Sequence, residues 1–202
     1  MGKAELSGRG IWQDVSGLKA STAEQNFYSV FKKAFNGTSY KLYEKPTHLK
    51  NLYASVILPK EVLENIYNPP IDLKHTQWGI SPDFAIKNLR TGKILFGEIK
   101  RQDGWVEGKK PSAGRGNAHE RLCKLFTPGL IKALRKVGGI ISTEILPFWV
   151  VFEGDITRDP KRVREIAFWF DKYKYNYFMW RPNESSDKLV KHFIEHLKPY
   201  LD

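Results

Sequence analysis

Eight residues, Ile145-Leu146-Pro147-Phe148-Trp149-Val150-Val151-Phe152, set the tightest limit on what this chain can fold into. The run is almost wholly apolar and far shorter than the ~18 residues a membrane span needs. It suits a β-strand buried on both faces, with Pro147 tolerated near its start. Helical and extended patterns alternate around it. Phe27, Val30, Phe31 and Ala34 recur at helical spacing behind Ser21-Thr22-Ala23-Glu24, which has capping-box spacing, and Asn36-Gly37 ends that helix. Tyr40 to Tyr43 reads as a strand, and Leu52 to Leu58 is a second apolar run. A short helix from Pro59 carries Val62, Leu63 and Ile66 until Asn68-Pro69-Pro70 stops it.

In the second half, Asn117 opens a helix with Ala118, Leu122 and Leu125 on one side. Thr127-Pro128 restarts it as N-cap and first turn, and it runs to Gly138-Gly139. Residues 160–172 are helical, with Val163, Ile166, Ala167 and Phe170 facing inward. Tyr175 to Trp180 is an aromatic strand, and Ser186 to Leu197 a closing amphipathic helix. Strands alternating with helices argue for an α/β domain with a mixed sheet. At 202 residues the expectation is one domain over 1–202, with 1–20 as a flexible N-terminal arm.

Charge narrows the partner. Against 33 Lys+Arg stand 22 Asp+Glu, a net +11 with pI near 9.6, which favours a polyanion, nucleic acid first and an anionic membrane surface second. Cys123 is the single cysteine, so no internal disulfide forms and a reducing cytoplasm is expected. The start, MGKAELSGRG, lacks the apolar core of a signal peptide, and Leu6 breaks the myristoylation pattern. No membrane association is expected.

The chemistry concentrates in SPDFAIKNLRTGKILFGEIK, residues 81–100. Two apolar runs flank a polar turn, Asn88 to Lys93, the pattern of a β-hairpin with a longer loop. Alternate residues of an extended chain share a face, so Glu98 and Lys100 point the same way. If the hairpin pairs, Asp83 lies near them. Two carboxylates and an ammonium suit a hard divalent cation and a phosphate. Asp83 and Glu98 would be metal ligands, and the Ile99 main-chain carbonyl a third. Lys100 is of most use as a point charge, because an unperturbed lysine pKa of about 10.4 makes a poor base. A salt-bridged surface hairpin would satisfy the same spacing.

Residues 101–116 form a basic, Gly-rich loop that runs into Gly116-Asn117-Ala118-His119-Glu120-Arg121. Amides at a helix start favour phosphate. Asn can hold adenine, Arg can hold guanine, and Ala can touch a thymine methyl. A plain helix cap with a Glu120–Arg121 surface pair is the bland alternative.

Together the two segments resemble a known family. Asp83 with Glu98-Ile99-Lys100 resembles the PD-(D/E)xK nuclease core, and GNAHER is similar to the GNAIER segment of the EcoRI-type restriction endonucleases. The resemblance implies a central mixed five-stranded sheet flanked by helices. It also implies a homodimeric, bacterial, cytoplasmic type II enzyme that requires Mg²⁺ and cuts palindromic double-stranded DNA. Catalysis falls on Asp83, Glu98 and Lys100, with metal on Asp83, Glu98 and the Ile99 carbonyl. DNA binding falls on Arg115, Gly116, Asn117, Ala118, His119, Glu120 and Arg121. Sites centred on AATT are implied, with CAATTG cut 5′ of AATT to leave 5′-phosphates, and Arg115 is suited to the outer guanine. His119 departs from the family's isoleucine. Two rivals stay open: a structure-selective repair or junction nuclease, and a DNA-binding regulator without catalysis.

Other motifs fall short. Gly104 to Lys109 is one residue short of a phosphate-binding loop and lacks the Ser/Thr after lysine, so no nucleotide cofactor is expected. His192-Phe193-Ile194-Glu195-His196 spells a zinc-peptidase pattern without a downstream third ligand. The aromatics Tyr173, Tyr175, Tyr177, Phe178 and Trp180 fit core or dimer packing better than base stacking.

Overall fold

The computed structural model describes Leu18 and residues 21–66, 78–103 and 119–202, the side chains of 183–185 excepted. The expected N-terminal arm, apart from Leu18, and the basic loop beyond Asp103 lie outside the described residues, as do Arg115, Gly116, Asn117 and Ala118. Helix α1 covers residues 21–34 and ends in a turn where Gly37 takes φ 72°. Ser21 is itself helical, so it does not stand outside the helix as its cap. Strand β1 (Tyr40–Glu44) follows, then a 3-10 turn (Leu52–Ser55) and a short helix, α2 (Lys60–Leu63). The hairpin is β2 (Phe84–Asn88) and β3 (Ile94–Arg101). After a 3-10 helix (Glu120–Phe126) come α3 (Pro128–Gly138), β4 (Phe148–Glu153), α4 (Pro160–Phe170) and β5 (Tyr177–Trp180). Helix α5 (Pro182–His192) continues through a π-helical turn, Phe193–Leu197, into α6 (Lys198–Leu201).

The five strands form one sheet in chain order. β1, β2 and β3 pair antiparallel, whereas β3, β4 and β5 pair parallel, so the sheet is mixed as expected. β4 is buried along its whole length. Its side chains alternate between two cores. Trp149 and Val151 face α1 and the closing helices, packing with Phe27, Phe31, Phe84, Trp180 and Phe193. Phe148, Val150 and Phe152 face α3 and α4, packing with Leu134, Ile166 and Phe170. Truncating such a ring to alanine costs about 3–5 kcal/mol.

Three local expectations change. The segment after residue 117 is 3-10 from Glu120, not the opening of an α-helix, and α3 begins afresh at Pro128. Ala167 is exposed rather than inward. The chain from Asp171 to Asn176 coils before β5 starts, because the buried Asn176 amide is tied to the Leu146 and Phe148 carbonyls at 2.9 and 2.6 Å.

The fold fixes the hairpin closely. Phe84 pairs with Gly97, and a Cβ on Gly97 would sit 2.0 Å from the Phe84 ring. At the turn end, Thr91 Oγ1 donates to the Leu201 carbonyl at 2.6 Å, and Asn88 Nδ2 donates to the same carbonyl at 3.1 Å. The far end of the hairpin is thereby held in position. No helix among the described residues is long and apolar enough to cross a membrane.

Candidate active site

Asp83 is the residue before β2, and β2 pairs with β3 only as far as Phe84↔Gly97. Beyond that point β3 continues alone on this side, and Asp83 fills the gap. Its Oδ2 accepts from the Ile99 amide at 2.8 Å. In an extended strand the N–H and C=O of one residue lie on one edge, so the Ile99 carbonyl is on the edge that carries Asp83. The Asp83 carbonyl accepts from the Lys45 amide at 3.0 Å and from the Tyr28 hydroxyl at 2.8 Å. β1 and α1 both hold this aspartate in place.

Glu98 and Lys100 share a face of β3, as the two-residue repeat requires. Lys100 Nζ lies 2.5 Å from Glu98 Oε2 and 3.6 Å from Asp83 Oδ2. The three groups named from the sequence therefore converge. Burial pushes the Glu98 carboxyl above its usual range, Lys100 pulls it down, and Asp83 pushes it up again, with a net rise. Burial works to lower the Lys100 pKa, yet the charges of Glu98 and Asp83 outweigh it and raise the value. The two acids thus favour the ammonium form of Lys100.

Two carboxylates on rigid strand ends, with a carbonyl on the same edge, form the oxygen-only donor set that suits Mg²⁺. The site fits the implied ion by donor chemistry. Among the described residues no three His, Cys, Asp or Glu side chains group closely enough to hold a metal by themselves.

The structure adds residues that sequence patterns did not single out. Lys45, just past β1, bridges Asp83 Oδ1 at 2.9 Å and Glu24 Oε2 at 2.8 Å. Its backbone takes φ 44°, a region sparsely used by residues other than glycine. The charge of Lys124, on the 3-10 helix, also favours the ionised form of Glu98. One layer on, Arg101 Nη1 lies 2.6 Å from Glu153 Oε1, joining the ends of β3 and β4. No spacing rule pairs residues so far apart in the chain. Only the parallel register Arg101↔Glu153 does.

The reading segment is seen from His119 onward. His119 is buried; its ring stacks on Trp169 at 5.4 Å and 13°, and its Nε2 lies 3.2 Å from Glu165 Oε2. Arg162 Nη1 holds the same Glu165 oxygen at 2.7 Å. The imidazole is enclosed in the interior, packed against α4. Leu122 and Leu125 are buried beneath the 3-10 helix, whereas Glu120 and Arg121 are exposed. The zinc-peptidase look-alike is packing: His196 stacks on Tyr175 at 3.8 Å, and His192 Nε2 binds the Tyr175 carbonyl at 2.8 Å.

Comparisons with known proteins point to one family. The family described as type II restriction enzyme MunI matches residues 1–202. A type II restriction enzyme MunI from Mycoplasma sp. is 74% identical over 202 residues, covering 100% of both chains. A crystal structure of MunI restriction endonuclease in complex with cognate DNA is similar at TM-score 0.81 and 74% identity, over 95% of this chain and 97% of that one.

Proposed function

The chain belongs to the type II restriction enzyme MunI family and is a site-specific deoxyribonuclease, and from that premise we propose how it recognises and cuts DNA. Membership removes the non-catalytic regulator and the junction nuclease as readings. The observation that carries the catalytic assignment is the convergence of Lys100 on Glu98 and Asp83, at 2.5 and 3.6 Å. Asp83, Glu98 and the Ile99 carbonyl would hold Mg²⁺. When bound, the ion polarises the scissile phosphate and lowers the pKa of a bound water. Lys100, kept as an ammonium by its two acids, orients the attacking water and offsets charge on the phosphate. Water adds to phosphorus, the bond to the 3′ oxygen breaks, and a 5′-phosphate and a 3′-hydroxyl remain.

The substrate is double-stranded DNA, which the net charge of +11 favours through contacts to phosphates. Gly116 belongs to the DNA-binding set. Asn117, Ala118 and Arg121 read the AATT centre, Glu120 braces them, and Arg115 reads the outer guanine of CAATTG. His119 supports this set from the interior. The enzyme works as a homodimer, because a two-fold axis matches a palindrome.

Digestion of a sequenced plasmid with Mg²⁺ tests the whole reading. Discrete fragments whose ends map to CAATTG, with 5′ AATT overhangs, are expected. No cutting with Mg²⁺, or ends at another sequence, would overturn it.

A further inference from the structure

Among the described residues, Lys45 and Lys100 each bridge Asp83 to a second acid, and Lys45 does so from outside the hairpin. Its ammonium takes one oxygen of a catalytic aspartate, 2.9 Å from Asp83 Oδ1, and is tied to a second acid, Glu24 Oε2, at 2.8 Å. The other Asp83 oxygen is held by the Ile99 amide at 2.8 Å, with Lys100 at 3.6 Å. Glu98 Oε2 is engaged by Lys100 at 2.5 Å. In the metal-free arrangement, both proposed metal-binding carboxylates therefore already carry a lysine ammonium.

The two lysines are not alike. The Lys100 side chain is 20% exposed and rises from β3, the central strand of the sheet, whereas that of Lys45 is 52% exposed just past the edge strand β1. The Lys45 backbone sits at φ 44°, and such non-glycine positions persist only where the surroundings hold them. Those surroundings are its amide bond to the Asp83 carbonyl and its two carboxylate partners. Glu24, Asp83 and Glu98 bring three negative charges, and Lys45 and Lys100 bring two positive ones. A divalent cation entering this group meets an ammonium already on one of its ligands.

We infer that Lys45 is a tethered stand-in cation, a positioning residue that occupies Asp83 Oδ1 until the metal binds and then withdraws to Glu24. Glu24 is its parking partner rather than a metal ligand, consistent with the lack of any three-acid metal group among the described residues. The arrangement keeps Asp83 from repelling Glu98 in the free enzyme. It also sets metal affinity lower than the carboxylates alone would give. The inference rests on Asp83 and Glu98 holding the metal.

The test is Mn²⁺ titration into the free full-length chain by calorimetry at low salt, without DNA, alongside thermal melts. Lys45→Met should tighten Mn²⁺ binding about tenfold, the effect of one partly screened unit charge close to the ion. Lys124→Met removes a charge that acts on Glu98 only from a distance and should tighten binding less, by under about threefold. Glu24→Gln should weaken binding in the wild-type background, where Lys45 loses its alternative partner, and weaken it less in the Lys45→Met background. Lys45→Gln serves if Lys45→Met does not fold. Equal affinity of wild type and the Lys45 variants, or equal effects of the Lys45 and Lys124 changes, would overturn the role of Lys45. Asp83→Ala should lose Mn²⁺ binding; if it binds as wild type does, the metal assignment itself fails, whatever Lys45 does.

Discussion

The β2–β3 hairpin and the segment around His119, the two halves of the proposed site, are held by different means. The hairpin is fixed by ladder register on three strands, with Asp83 tied to the Ile99 amide and the turn end tied to Leu201. The segment from His119 to Phe126 has no ladder. It hangs on buried anchors, with His119 against Trp169 and Glu165 and with Leu122 and Leu125 in the core. Backbone pairing positions Glu98, Lys100 and the neighbouring Asp83. Side-chain anchors set a surface from which Glu120 and Arg121 reach outward. Damage to the first should abolish cutting at any sequence, and damage to the second should change which sequence is cut.

The largest effect should come from the hairpin. Asp83→Ala should reduce single-turnover cleavage of a CAATTG duplex on the order of 1,000-fold, the scale of losing one preorganised charge-stabilising group. Binding measured by gel shift without metal should survive. Cleavage within about tenfold of wild type would break the division between the two regions. Arg115→Ala comes next. It should weaken specific binding by about 1–3 kcal/mol and relax the outer base pair, as read by competition among duplexes that differ only there. Unchanged selectivity would remove Arg115 from the reading set.

A third change probes the hairpin's packing without touching its chemistry. Gly97→Ala places a methyl group against the Phe84 ring, where a Cβ would lie 2.0 Å from Cζ. The expected loss is about 1–3 kcal/mol of stability, read by denaturant unfolding. A neutral result would mean that the strands at Phe84↔Gly97 part more easily than the fold implies. The smallest effect is on pH. Glu98 has a raised pKa in the folded protein, and protons compete with metal for it. Acidification should therefore weaken Mn²⁺ binding starting above the ordinary glutamate value of about 4.3, with full affinity returning as pH rises through the folded pKa. Affinity that stays flat down to that ordinary value would contradict the assigned burial of Glu98.

The contrast also explains what could be read from the residues alone. β4 was legible because an unbroken apolar run leaves little choice but burial on both faces, and all six of its residues are buried. Glu98 and Lys100 were legible because a strand repeats every two residues. Lys45 and Glu24 were not, because their approach to Asp83 depends on a left-handed backbone at Lys45 and on where α1 docks. The burial of His119 was hidden for a related reason. Within GNAHER it sits among polar neighbours and looks exposed, but the partners that bury it, Glu165 and Trp169, are more than forty positions away in α4. The 3-10 form of Glu120–Phe126 was hidden too, since Leu122 and Leu125 are three apart and fit either kind of helix.

Lys100→Ala, assayed for binding and for single-turnover cleavage on the same CAATTG duplex, tests the central claim most directly. The account predicts binding within about threefold of wild type (under 1 kcal/mol) and cleavage reduced by about 100-fold or more. Full cleavage by this variant, or loss of site-specific binding in step with cleavage, would contradict the assignment of cutting to the hairpin and of reading to residues 115–121.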